Sequence, residues 1–156
     1  RMLFKDNFYD TSSRVPTMFC YPGHVAEGGE DTEHLVSGLD FFPTFCDYAG
    51  IMPPKGLRGR SLKPLLEGKQ TQWRRYLHAQ SKGSGRMVVD ERFKFIRYYG
   101  SKTVQLFDLN ADPFETRNLP YEQPFAADRE RLASEIDRHE ATLDNVKLPT
   151  ALSKRN

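Results

Sequence analysis

Apolar and polar positions divide the chain into two halves with different rhythms. Val15-Pro-Thr-Met-Phe-Cys-Tyr21 is a continuous apolar run closed by Pro22-Gly23, the pattern of a strand buried on both faces of a sheet. A polar, Gly-rich loop follows over 23–33, and His34–Leu39 reads as a second short strand. Asp40 predicts a helix N-cap that accepts from the amides of the next turn; Pro43 is tolerated there and Gly50 ends a helix over Phe41–Ala49. Ser61, Pro64 and Gly68 repeat the device. From Trp73 the rhythm changes to short β-rich runs, Arg75–Ser81, Arg86–Val89, Arg92–Tyr99 and Val104–Leu109, separated by Gly- or Asp-containing turns. Such close spacing predicts an antiparallel meander. Phe125, Leu132, Ile136 and Leu143 form one stripe of a last helix over Pro124–Asn145, and the tail Lys147–Asn156 is expected to fray. The predicted fold class is α/β: the end of a large mixed or parallel sheet with helices, then a small α+β unit of about four antiparallel strands and a C-terminal helix. The expected domains are 1–72 and 73–156.

Composition changes this picture little. At 156 residues the chain can bury roughly 70% of its unfolded surface, enough for a core without disulfides. Hydrophobic residues at 38%, with 11 Phe and 7 Tyr, exclude a disordered class. No run approaches a transmembrane span, and the charged start RMLFKDNFYD lacks the apolar core of a signal peptide. A net charge of +2 with short, interrupted basic stretches gives no nucleic-acid footprint.

Taken residue by residue, the candidate chemistry is thin. Cys20, His24, His34 and Cys46 do not have the paired spacing of a structural zinc site. Gly56-Leu-Arg-Gly59-Arg-Ser61 is too short for a phosphate loop, and no GxSxG is present. His78, mid-strand, and His139, beside the helix stripe, read as core or rim residues.

The order of segments is more informative. Lys5-Asp-Asn-Phe-Tyr9-Asp-Thr-Ser-Ser-Arg14-Val-Pro16 is followed by Tyr21-Pro-Gly23, then Leu35-Val-Ser-Gly-Leu-Asp40-Phe-Phe-Pro43-Thr44 and Ala49-Gly50. Next come Leu57-Arg-Gly59-Arg-Ser61-Leu-Lys-Pro64, Arg92-Phe-Lys94-Phe-Ile96, and Leu106-Phe-Asp108 to Asp112-Pro-Phe-Glu115-Thr-Arg-Asn118-Leu119. Over about residues 4–120 this series resembles the C-terminal portion of a type I, formylglycine-dependent sulfatase of the alkaline-phosphatase superfamily. The resemblance implies a sulfuric ester hydrolase as the parent protein, acting on sulfate esters, sulfated carbohydrate more than aryl sulfates. It implies that Lys5 contacts the substrate sulfate as a catalytic and substrate-binding cation, and that His78, Gln80 or Lys82 helps line the cleft. The family's nucleophile is a formylglycine made in a C-x-P-x-R context; Cys20-Tyr-Pro22-Gly-His24 departs from that pattern. Formylglycine and the calcium ligands of the complete enzyme are therefore expected upstream of Arg1, with no metal ligand in these residues and no activity in the chain alone. The expected partners are a sulfated substrate and the missing N-terminal part, with a homo-oligomer as an option and neither nucleic acid nor membrane. A periplasmic or secreted location follows from the family. The alternatives are a phosphonate or phosphate-ester hydrolase, a sulfamidase, or a non-catalytic interaction or oligomerisation module.

Overall fold

A computed structural model describes residues 7–81 and 85–143. The chain forms two compact units, one from 1–14 with 78–156 and one from 15–77. The expected elements Lys5, Lys82 and the tail beyond 143 lie outside the described residues.

The first unit is built on an antiparallel meander of β1 (Leu77–Ser81), β2 (Gly85–Val89), β3 (Phe93–Tyr98) and β4 (Val104–Asp108), in the spatial order β1-β2-β3-β4. Register places Val88 opposite Phe95 and Phe95 opposite Leu106, with Val89, Lys94 and Phe107 in the neighbouring row. Since side chains alternate between faces, the two rows point to opposite sides of the sheet, and both are buried. Helix α4 (Ala126–Leu143) covers the Phe95 side through Leu132 and Ile136, 0% and 1% exposed. Each such side chain contributes about 1.5–3 kcal/mol by leaving water. Phe125 meets Phe93 edge-on at 5.9 Å, while Arg86 and Arg97 pair with Glu140 and Asp137 on the helix. The turn from β2 to β3 is closed by Asp90, whose carboxylate accepts from the amides of Arg92 and Phe93 and pairs with Arg131. After β4 the chain doubles back: Asn118 accepts from the Leu106 amide and Leu119 donates to the Leu106 carbonyl.

The second unit contains α2 (Phe41–Tyr48) and α3 (Lys63–Leu66), joined through Asp40. Asp40 is fully buried, and its carboxylate accepts from the amides of Ser37 and Arg60 and from both terminal nitrogens of Arg74 at 2.5–2.6 Å. It therefore does not cap the amides of α2 as its sequence position predicts. It turns back to close a capping box with Ser37 around a 3-10 turn, Gly38–Asp40. Thr44 continues the link, donating to the Asp40 carbonyl and accepting from the Leu62 amide. Gly59 allows the close approach: a Cβ there would lie 1.9 Å from the Leu39 carbonyl oxygen.

Two expectations are corrected. Val15–Tyr21 is not a buried strand, and Val15, Met18 and Tyr21 are 59%, 95% and 44% exposed. Among the described residues no strand precedes Leu77. A strand is held by hydrogen bonds to neighbours, and no described segment offers Val15–Tyr21 a ladder. His34–Leu39 is a loop because the Ser37–Asp40 box claims its backbone groups. Leu39, Phe42, Phe45, Ile51 and Met52 are also exposed.

Removing a buried ion-pair partner costs about 3–5 kcal/mol, so Asp40→Ala is expected to lower the stability of this unit by that amount in urea unfolding. Burial raises the Asp40 pKa, but the Arg74 guanidinium and the two amides outweigh it and hold the carboxyl below its usual value. A depressed folded pKa stabilises above the unfolded value of about 4 and is lost as pH falls through the folded one. The Asp40→Ala difference should accordingly shrink in unfolding curves taken below about pH 4.

Candidate functional site

Residues 8–10 are held on the first unit by ring contacts and hydrogen bonds. Phe8, 3% exposed, packs its ring 6.1 Å from Tyr98, and the Tyr9 ring lies 5.5 Å from Phe107. The Tyr9 hydroxyl accepts from Gln105 Nε2 at 2.7 Å, and Tyr98 donates to the other end of the same amide. These residues cover the sheet face that α4 leaves open. The short helix α1 (Asp10–Ser13) starts here, its first amide donating to Glu115 Oε2 at 2.7 Å.

Beneath this segment lies Lys94. Its side chain is 2% exposed, and its ammonium donates to the Phe8 carbonyl, pairs with the Asp10 carboxylate and lies 2.5 Å from Glu115 Oε1. Glu115 is itself buried and is the one non-glycine residue with positive φ, 56°, among those described. That conformation costs an L-residue about 1–2 kcal/mol, which the pairing with Lys94 and the Asp10 amide offsets. Three residues far apart in sequence thus form one charged cluster in which Lys94 and Glu115 are buried and Asp10 is half-buried.

His78 lies on β1 with its side chain 17% exposed, its ring stacked on His139 at 3.9 Å and 5° and its Nε2 3.4 Å from Glu135 Oε1. The two histidines therefore form part of the contact between β1 and α4. Gln80 is exposed on the same strand. The histidines and cysteines considered as zinc ligands are not brought together. His34 pairs with Asp31 and meets Trp73 edge-on, His24 stacks on Tyr21, Cys46 is buried and Cys20 exposed. No group of three or more His, Cys, Asp or Glu among the described residues could hold a metal, and no described helix is long and apolar enough to cross a membrane.

The family of N-sulphoglucosamine sulphohydrolase C-terminal regions matches residues 1–142. The chain belongs to this sulfatase family. It is 32% identical to an arylsulfatase of Clostridium perfringens over 90% of its own length and 31% of the relative's. It is 35% identical to a Δ4,5-hexuronate-2-O-sulfatase of Bacteroides thetaiotaomicron over 76% of its length and 27% of that protein's. A crystal structure from Bacteroides thetaiotaomicron assigned to the sulfatases superposes with a TM-score of 0.73 at 30% identity, covering 92% of this chain and 34% of that one. The chain thus spans about a third of the length of these relatives. It corresponds to the C-terminal portion of a sulfatase, with the α/β class and the antiparallel sheet plus C-terminal helix expected from its sequence.

The sequence reading missed the cluster around Lys94. The available signal was a lysine between Phe93 and the apolar pair Phe95-Ile96, where a charge is costly unless paired. Glu115→Ala should lower stability by about 3–5 kcal/mol in urea unfolding, and clearly more than Asp112→Ala in the exposed part of the same loop.

Proposed function

We propose that the chain is the sulfate-binding C-terminal portion of an enzyme that hydrolyses sulfate esters of carbohydrate, and that Lys5 is its contribution to the reacting centre. The match of residues 1–142 to a sulfatase family carries this reading, and the relationship to a hexuronate-2-O-sulfatase supports a sulfated sugar as substrate. Cleaving the S–O bond builds negative charge on the sulfuryl and leaving oxygens. A fixed ammonium with three donors stabilises that charge in a dry pocket.

The nucleophile and metal ligands lie in the preceding part of the protein on this reading. The nucleophile would be a formylglycine, and a calcium ion held by those ligands would supply Lewis acidity. On the same reading the 156 residues alone are inactive. The exposed apolar side chains of the second unit, Met18, Phe42, Phe45 and Met52 among them, are the surface against which that preceding part packs. Export to the periplasm or exterior belongs to the same reading. His78 receives no substrate contact in it, because its ring is occupied by His139 and Glu135. Cleavage of an N-linked sulfate is a second reading, favoured by the description of the matching family.

In the full-length protein, Lys5→Ala should lower turnover of a sulfated sugar by at least about two orders of magnitude. A near-normal rate would remove Lys5 from the site. Purified residues 1–156 should release no sulfate above the blank in the same assay.

A further inference from the structure

We propose that His78 and His139 form a proton-sensitive latch between β1 and α4, closed while the pair carries at most one proton and opened by a second. The two imidazole rings lie parallel, 3.9 Å apart and 5° from coplanar stacking. His139 follows Ile136 by three residues, so it continues the face that Leu132 and Ile136 turn to the sheet. A leucine or phenylalanine would fill such a position without burying a polar atom. Two imidazoles add one property that an apolar pair lacks, a charge that changes between about pH 5 and 8.

The charges around the stack favour one proton and oppose two. Glu135, buried on α4, places Oε1 3.4 Å from His78 Nε2 and pairs its other oxygen with Arg138. A carboxylate in that position favours a first proton on the pair. Two imidazolium rings stacked at 3.9 Å would repel each other directly, and Arg138 adds a cation of the same sign beside His139. The other charges between α4 and the sheet are matched among themselves. Arg86 on β2 lies 3.0 Å from Glu140, and Arg97 on β3 pairs with Glu140 and Asp137. β1, with the sequence LHAQS, brings no charge besides His78. A second proton is therefore accommodated by separating the rings. β1 stands at the edge of the four-stranded sheet and His139 lies one turn from the end of α4 at Leu143, so what separates is the last part of the helix from the edge strand.

The test is hydrogen exchange read by mass spectrometry on the full-length protein, following the peptides that contain 77–81 and 132–143. Parent and variant are compared at the same pH, so that the intrinsic pH dependence of exchange cancels. His139→Phe keeps an aromatic ring in the stack and removes one site of protonation. The ratio of parent to His139→Phe exchange rates should be at least about tenfold larger at pH 5 than at pH 7.5. An imidazole that titrates near 6.5 once released allows up to about thirtyfold. His78→Phe also leaves one titrating ring and should show the same ratio, which keeps the test decisive if His139→Phe packs poorly. Glu135→Gln removes the anion that holds the first proton while keeping the shape, and it should move the opening to higher pH. The inference is overturned if the parent and both phenylalanine variants share the same pH dependence in these peptides within about twofold, the result of a stack that serves packing alone.

Discussion

The buried ammonium of Lys94 is the constraint around which the first unit is arranged. A charge that is 2% exposed in the middle of a sheet needs partners on its own face. They come from two places remote in sequence: Asp10, 84 residues earlier, and Glu115, in the loop after β4. Meeting that demand closes the face of the sheet that α4 does not cover, and brings the residues after Lys5 onto the meander. Without the ion cluster the same face could be filled by apolar side chains. The start of the chain would then have an apolar seat with no fixed rotation on it.

The second unit is organised by the opposite charge, Asp40, on the same principle. One buried carboxylate gathers the amides of Ser37 and Arg60 and the guanidinium of Arg74, so that a loop, a 3-10 turn and the approach to β1 share one anchor. In each unit a buried charge joins segments that are remote in sequence.

Local chemistry made much of this legible in the sequence. The four strands of the meander and the terminal helix were written in turn residues and in the Leu132–Ile136 stripe, and α2 and α3 in their proline and glycine punctuation. Failures came where the deciding partner lay elsewhere. Val15–Tyr21 has the composition of an interior strand, but pairing depends on neighbours that no described residue supplies. Asp40 stood at the right position for a cap, yet Arg74 and Arg60, reached only through tertiary structure, turned its carboxylate the other way. The Lys94 cluster left no periodic trace, since its three residues share neither a helix face nor a strand. Lys5 became a candidate only through the order of motifs, because an isolated lysine in RMLFKDNFYD carries no signal of its own.

Membership of a sulfatase family fixes the kind of chemistry to look for and leaves the ester open. The direct test is the ratio of kcat/KM for an O-sulfated uronic acid sugar to that for a phosphonate monoester, measured on the full-length protein. The account predicts a ratio above one, with both values falling sharply in Lys5→Ala. A phosphonate ester hydrolysed faster than the sulfated sugar would contradict it.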